Sequence, residues 1–197
     1  MPLLLALLGS YLVGSLPTAY LVVKRLKRVD VRTVGSGNVG ATNVVRAAGV
    51  RAGAAVFLVD LLKGLVATRL LARLAWPMTP AAPWACGFAA VVGHCAPVWL
   101  QFRGGKGVAT TIGVLLGASP PLAGVCAAVW AACFFIWRYV SVASIAAAAA
   151  LPLAQWGWHR SRDEQLLGLA VAVLVIARHQ ENIARLRAGT EHRVGRR

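Results

Sequence analysis

The sequence predicts an all-α protein, a polytopic membrane helical bundle of seven transmembrane helices in a single domain that covers residues 1–197. Hydrophobic residues make up 58% of the chain and charged residues only 14%, whereas soluble domains are about 45–50% apolar and about 25% charged. The apolar residues form continuous runs, which favours helices, because the strands of a membrane β-barrel alternate between apolar and polar residues. Basic residues follow the first run directly, as is typical of the cytoplasmic end of a membrane helix.

Seven apolar runs define the predicted spans. The first run, residues 3–22, is long enough to cross about 30 Å of hydrocarbon at about 1.5 Å per residue. It is followed by Lys24, Arg25, Lys27 and Arg28. The other predicted spans are residues 52–72, 84–100, 108–118, 122–137, 140–158 and 165–177.

The short fourth run, residues 108–118, decides the topology. If it crosses the membrane, the N-terminus lies outside, the C-terminus is cytoplasmic, and most of the 21 Lys and Arg residues fall in cytoplasmic loops. If it does not cross, the basic C-terminal tail faces outside, and the bias of basic residues toward the cytoplasm largely disappears. We therefore expect seven spans.

The charge and the cysteines exclude several classes of protein. A net charge of +15 fits basic loops at the anionic surface of a membrane, so we expect contact with membrane lipid and no nucleic-acid partner. The four cysteines include no C-x-x-C pair, and we interpret them as small buried hydrophobic residues. Carboxylates are scarce, so we expect no metal site and no cofactor.

A polar, glycine-rich stretch, Gly35–Arg46, separates the first two apolar runs. Its glycines permit tight turns that bring backbone N–H groups to a ligand, and the guanidinium of Arg46 suits a phosphate. The composition indicates a cradle for an anion, although a plain polar turn between membrane helices explains it equally well. The candidate substrate-binding residues here are Ser36, Gly37, Asn38, Gly40, Thr42 and Asn43.

A second glycine-rich stretch opens the fourth run. Gly104, Gly105 and Gly107 surround Lys106 immediately before an apolar segment. Such a turn at a helix N-terminus binds anions through its N–H groups and the helix dipole. It is not a P-loop, because the upstream glycine of the G-x-x-x-x-G-K-[ST] pattern is absent.

A third polar stretch follows the last run. His179 and Asn182 share a helix face, and a helical extension of the last span could place them over the same pocket as Lys106 and Arg46. A basic tail held by lipid head groups accounts for the neighbouring arginines but not for the His–Asn pair. With seven spans all three stretches face the cytoplasm, and together they predict a site for phosphate-bearing molecules.

Ionisable residues also lie inside the predicted spans. Asp60 and Lys63 are spaced i,i+3 on one helix face. Such residues are functional candidates in a membrane helix, but we favour a mutually neutralising pair that fixes the helix. We interpret His94, inside the third span, as a packing residue.

These patterns resemble the three signature motifs of the bacterial acyl-phosphate:glycerol-3-phosphate acyltransferases, the PlsY family. The resemblance covers essentially the whole chain in order. The segments that carry it are residues 35–46, 60–64, 93–110, 138–144 and 178–191.

The resemblance implies a seven-helix enzyme of the bacterial inner membrane with its active site on the cytoplasmic face. It would transfer a fatty acyl group from acyl phosphate to the 1-position of glycerol 3-phosphate, giving lysophosphatidic acid and phosphate for phospholipid synthesis. We expect a monomer. The catalytic candidates are Lys106, His179, Asn182 and Arg46, and Ser141 and Ser144 join the substrate-binding candidates.

The residues are compatible with this chemistry. An acyl phosphate is a mixed anhydride whose phosphate leaves readily, so the enzyme has to hold two dianions together and stabilise a tetrahedral oxyanion. Lys106, Arg46 and the glycine N–H groups can do both. The His-x-x-x-x-Asp motif of other glycerolipid acyltransferases is absent, so the proton acceptor is either an oxygen of the acyl phosphate or His179.

Two other classes stay open on the sequence alone. A transporter of a phosphorylated metabolite would also need buried cations, but the chain shows no internal repeat, and its polar clusters lie at one membrane face. A non-catalytic lipid-binding or scaffold protein would not need three glycine-rich loops.

Overall fold

The structure, a computed structural model, describes residues 2–75 and 79–195, and the regular secondary structure in these residues is all helical. The predicted all-α class is confirmed for this part of the chain. The α-helices are α1 (Pro2–Ser15), α2 (Thr18–Lys27), α3 (Ala41–Ala48), α4 (Val50–Arg69), α5 (Ala82–Cys95), α6 (Val108–Ala118), α7 (Pro120–Trp137), α8 (Val140–Gly157), α9 (Arg162–Ala177) and α10 (Gln180–Arg187). Short 3₁₀ helices lie at Val31–Thr33, Leu71–Leu74 and Val98–Leu100.

The chain divides into two compact units, Met1–Ala118 and Ser119–Arg197. The first unit contains α1 to α6 and therefore both glycine-rich stretches. The second contains α7 to α10, with His179 and Asn182. A single domain over residues 1–197 stays a prediction.

Four helical segments among the described residues are long and apolar enough to cross a membrane, namely Pro2–Lys27, Ala82–Leu100, Pro120–Trp137 and Val140–Gly157. A fifth is added if α9 and α10, which are bent by 51° at their junction, count as one span. The helix α6 is apolar but only 11 residues long, and the 20-residue α4 carries Arg51, Asp60, Lys63 and Arg69. The full set of seven spans thus stays a prediction.

The first predicted span, residues 3–22, is present but broken. It consists of α1 and α2, which are separated at Leu16 and Pro17. Proline interrupts the helix because it has no N–H to donate and its ring crowds the preceding turn. At the break, the Nζ of Lys63 in α4 donates a hydrogen bond of 2.6 Å to the carbonyl oxygen of Leu16. The lysine thereby supplies a further donor to a carbonyl at the break, which also accepts from the N–H of Thr18 at 2.9 Å.

Glycines allow α4 and α6 to pack with their backbones in contact. A Cβ atom at Gly64 would overlap the carbonyl oxygen of Thr110, and one at Gly113 would overlap the carbonyl oxygen of Leu61. Small residues at such contacts are typical of helix pairs in membranes. The close contact fixes the position of α6, which begins directly after the second glycine-rich stretch.

We expect Gly113→Ala to lower the thermal stability of the protein in detergent, because the added methyl group would force the backbones of α4 and α6 apart. Overpacking of this kind costs about 1–3 kcal/mol. Gly124→Ala in α7 is the matched control, since a Cβ there meets nothing within 4 Å and alanine favours a helix. A Gly113→Ala protein with the midpoint of the wild type would contradict the backbone contact.

In the second unit α8 packs against both α7 and α9. A capping box begins α9: the hydroxyl of Ser161 accepts from the N–H of Glu164, and the Glu164 carboxylate accepts from the N–H of Ser161. The last predicted span, residues 165–177, therefore begins a little earlier than expected.

The bend between α9 and α10 falls at Arg178 and His179, so the predicted extension exists but changes direction.

Candidate active site

Asn43 organises the first glycine-rich stretch from within. Its side chain is buried in the first turn of α3. Its Oδ1 accepts from the N–H of Ser36 at 2.8 Å, and its Nδ2 donates to the carbonyl oxygens of Val31 and Val34, each at 3.0 Å. The amide thus closes the loop on itself. Asn43 thus positions the loop, and its predicted contact with substrate stays a prediction.

Two glycines make the same loop possible. Gly35 and Gly37 have φ angles of +59° and +69°, a left-handed conformation that glycine adopts without strain. A Cβ at Gly35 would in addition overlap the Oδ1 of Asn43. The loop carries Ser36 and Asn38 as half-buried side chains in the turn that leads into α3.

The second glycine-rich stretch folds back on the end of α5. The N–H of Gly104 donates to the carbonyl oxygen of Cys95 at 3.2 Å, and the N–H of Gly105 donates to that of His94 at 3.0 Å. A side chain at either glycine would overlap these same residues. Gly107 has a φ angle of +82° and precedes α6. The turn around Lys106 is therefore fixed by its backbone.

The two stretches lie against each other in the first unit. A Cβ at Gly105 would come within 2.7 Å of the carbonyl oxygen of Val39, so the absence of a side chain permits this approach. Lys106 is half-buried, whereas Thr42 and Arg46 on α3 are exposed. Two neighbouring backbone turns, each accompanied by a cation, thus occur in one unit, as an anion site requires.

His179 occupies the N-cap position of α10, at the bend that follows α9. The residue is 3% exposed, and its Nδ1 lies 2.7 Å from the carbonyl oxygen of Val175. A carbonyl oxygen only accepts, so Nδ1 carries the proton in this contact, and in the neutral ring Nε2 is the accepting nitrogen.

Glu191 connects three residues of the second unit. Its Oε1 accepts from Asn182 Nδ2 at 2.6 Å and from Ser141 Oγ at 2.7 Å, and its Oε2 accepts from Arg185 Nε at 2.8 Å. The carboxylate thus joins α8 to α10 and orients the amide of Asn182. Glu191 is absent from the predicted site residues, and the only signal for it in the sequence is its place in the third motif.

The charge of Glu191 is stabilised by these donors. Burial works against the ionised form, but hydrogen bonds from Asn182, Ser141 and Arg185 outweigh it and hold the pKa of this carboxyl below its ordinary value. The side chain is 8% exposed. At neutral pH a largely enclosed carboxylate therefore pairs with the guanidinium of Arg185.

Ser141 and Ser144 lie on one face of the first turn of α8, and both are buried. The Ser141 hydroxyl donates to Glu191, as described above. The Ser144 hydroxyl donates to the carbonyl oxygen of Val140 at 2.8 Å and accepts from Trp130 Nε1 at 3.2 Å. Both hydroxyl protons are thus used inside the unit, and their substrate-binding role stays a prediction.

The structure groups the predicted residues into two sets. The set in the first unit contains Ser36, Gly37, Asn38, Gly40, Thr42, Asn43, Arg46, Gly104, Gly105, Lys106 and Gly107. The set in the second unit contains Ser141, Ser144, His179 and Asn182. Each set lies within one compact unit. Trp130 and Glu191 hydrogen-bond to members of the second set but are absent from the predicted site residues.

Comparison with known proteins identifies the chain's family. The family model described as glycerol-3-phosphate acyltransferase matches residues 4–189. The glycerol-3-phosphate acyltransferase of Gloeobacter violaceus is 49% identical over 190 residues, which cover 95% of this chain and 92% of the relative. That of Geotalea daltonii is 44% identical over 186 residues, covering 94% of each chain.

Solved structures agree with this finding. The chain is similar to PlsY (YgiH), an integral membrane glycerol 3-phosphate acyltransferase, in its glycerol 3-phosphate form, with a TM-score of 0.91, 41% identity and coverage of 98% of this chain and 96% of that one. The lysophosphatidic acid form matches with a TM-score of 0.87 at the same identity, over 98% and 95% of the two chains. The resemblance seen in the three motifs is thus confirmed, and the chain belongs to the glycerol-3-phosphate acyltransferase family, the integral membrane enzymes that acylate glycerol 3-phosphate in phospholipid synthesis.

Proposed function

We propose that this protein transfers a fatty acyl group from acyl phosphate to the 1-position of glycerol 3-phosphate, giving lysophosphatidic acid and inorganic phosphate. The observation that carries the proposal is the turn around Lys106. Two N–H bonds to the end of α5 fix this turn directly before the N-terminus of α6. Backbone N–H groups, a helix dipole and a cation together suit the phosphate of an acyl phosphate.

In the proposed reaction the 1-hydroxyl oxygen of glycerol 3-phosphate attacks the acyl carbonyl carbon. A new C–O bond forms, the C–O bond to phosphate breaks, and phosphate leaves with the electron pair. Since the N–H groups of Gly104 and Gly105 are bonded to the end of α5, Lys106 and the N–H groups at the start of α6 are assigned to stabilise the intermediate oxyanion. One such donor contributes about a hundredfold to a thousandfold in rate. The hydroxyl proton passes either to an oxygen of the acyl phosphate or to His179.

The proposed binding roles follow the chemistry of each group. Cations and a His–Asn pair suit a phosphorylated glycerol, whereas glycine-rich turns suit the phosphate of the donor. Glycerol 3-phosphate is assigned to Arg46, Lys106, Ser144, His179 and Asn182. Acyl phosphate is assigned to the loop 36–42 and to Gly104–Gly107, with the acyl chain between helices in contact with lipid.

We also propose the membrane arrangement that the positive charges predict. The chain would cross the bacterial inner membrane seven times as a monomer, with its N-terminus outside, its C-terminus cytoplasmic and its active site on the cytoplasmic face. The direct contact of Asp60 with Lys63 supports a transmembrane α4, because the two charges compensate each other. The apolar composition of α6 supports a short span for that helix.

A panel of acyl donors tests the proposal. Purified protein in lipid would receive glycerol 3-phosphate with palmitoyl phosphate, palmitoyl-CoA or palmitoyl acyl carrier protein. We expect lysophosphatidic acid only with palmitoyl phosphate, with the acyl group at position 1 by mass spectrometry and unchanged product after addition of a chelator. Product from either thioester at a comparable rate would contradict the proposed donor.

A further inference from the structure

Asp60 and Lys63 of α4 and His94 of α5 form a buried polar cluster in the first unit. They are 2%, 3% and 9% exposed. Lys63 Nζ lies 2.6 Å from Asp60 Oδ1, which confirms the predicted pairing. The same carboxylate oxygen lies 3.7 Å from Nδ1 of His94. His94, expected to be a packing residue, is thus the third member of a buried polar cluster.

His94 is also the residue on which the second glycine-rich stretch rests. Its carbonyl oxygen accepts the N–H of Gly105 at 3.0 Å, and a Cβ at Gly105 would overlap its ring nitrogen Nε2. The imidazole therefore lies between Asp60 on its Nδ1 side and Gly105 on its Nε2 side. A change in the orientation of this ring would displace the turn around Lys106.

A small pocket extends this connection to the first stretch. Its lining includes all three members of the cluster together with Val39 and Pro97. Val39 belongs to the first glycine-rich stretch, and the Cδ of Pro97 is one of the atoms that a Cβ at Gly104 would overlap. The cluster thus borders the backbone of both stretches.

Helix stability alone does not account for such a cluster. A buried ion pair costs much desolvation, and replacing it with apolar side chains of similar volume is often neutral or stabilising. Inside a membrane ionisable residues are rare and mark functional positions. If Asp60 and Lys63 only neutralised each other, the contact of Asp60 with His94, which supports the loop, would serve no purpose.

We propose that Asp60, Lys63 and His94 are positioning residues that hold the Gly104–Gly107 loop in its phosphate-binding conformation. Lys63 fixes the carboxylate of Asp60. This carboxylate packs beside Nδ1 of His94 at 3.7 Å and limits the movement of the ring, and the ring supports Gly105. The inference rests on the proposed function for the identity of the phosphate-bearing ligand. The position of the loop can be tested without it.

The double variant Asp60→Leu/Lys63→Met removes both charges at similar volume. We expect it to fold with a thermal stability close to that of the wild type, because the lost bond from Lys63 to Leu16 offsets the relief of desolvation. The backbone amides of residues 103–107 should exchange about tenfold faster in hydrogen–deuterium exchange. Its KM for palmitoyl phosphate should rise about tenfold while kcat changes less than about twofold. Thr68→Val is the matched control: this buried α4 hydroxyl bonds only within its own helix, so neither quantity should change.

Hydrogen–deuterium exchange of the loop amides and the KM for palmitoyl phosphate test two separate parts of the proposal. Unchanged exchange in the loop would overturn the positioning role, whatever the reaction of the enzyme. Faster exchange with an unchanged KM would overturn the role of the loop conformation in phosphate binding. If the double variant does not fold, His94→Phe keeps a ring of similar size without its nitrogens, and the same two outcomes apply to it.

Discussion

Lys106→Met should lower kcat/KM for acyl transfer by about a hundredfold to a thousandfold, the usual effect of losing one donor that stabilises charge in a transition state. Methionine keeps the length of the side chain and removes its charge. The loop itself should stay in place, because N–H bonds from Gly104 and Gly105 to the end of α5 fix it. The measurement is steady-state acyl transfer by purified protein in lipid, together with its thermal midpoint.

Arg103→Met is the control for Lys106→Met. It removes one positive charge from the same connection, but Arg103 is exposed and lies outside the glycine turn. We expect its kcat/KM to stay within about threefold of the wild type, because exposed charges act weakly through water and salt. A folded Lys106→Met protein with the turnover of the wild type would remove Lys106 from the mechanism.

Glu191→Gln should destabilise the protein by on the order of 2 kcal/mol at neutral pH and reduce acyl transfer at least about tenfold. An amide cannot pair with the guanidinium of Arg185, and it offers one acceptor oxygen where the carboxylate offers two. Asn182 would lose its orientation as a consequence. Thermal unfolding in detergent and the acyl-transfer assay measure the two effects.

The difference in stability between the wild type and Glu191→Gln should depend on pH in a defined direction. The pKa of Glu191 in the folded protein lies below its ordinary value of 4.5, so the carboxylate stabilises the fold above that value. The contribution is lost as the pH falls through the folded-state pKa. The stability gap between the wild type and Glu191→Gln should therefore be constant above about pH 5 and shrink in more acidic solution.

Glu181→Gln is the matched control for Glu191→Gln. Glu181 also approaches Arg185, at 4.0 Å, but its side chain is 69% exposed. Exposed ion pairs contribute only about 0–1 kcal/mol, so we expect little change in stability or activity. Equal effects of the two substitutions would mean that Glu191 acts only through the charge of Arg185.

Local patterns in the sequence predict much of this fold. The apolar run at residues 108–118 coincides with α6, and the i,i+3 spacing of Asp60 and Lys63 correctly indicates their contact. Both features depend on residues within a few turns of each other. The helix break at Pro17 could also have been predicted from the sequence, because proline disrupts a helix regardless of its tertiary surroundings.

The contacts that position the site depend on residues far apart in the chain. Glu191 meets Ser141 across 50 positions, and no local spacing indicates such a pair. Asn43 belongs by composition to a predicted ligand cradle, and its amide bonds, which close the loop, reach back 7 to 12 residues. His94 resembles a packing residue until the fold brings Gly105 and Asp60 to opposite sides of its ring.

The proposed acyl transfer is tested most directly by measuring both of its products in the same reaction. Purified protein in lipid receives palmitoyl phosphate and glycerol 3-phosphate, with no thioester donor present. We expect equal amounts of inorganic phosphate and lysophosphatidic acid. Phosphate without lysophosphatidic acid would show hydrolysis or a different acceptor and would contradict the proposed transfer, as would the absence of both products from folded protein.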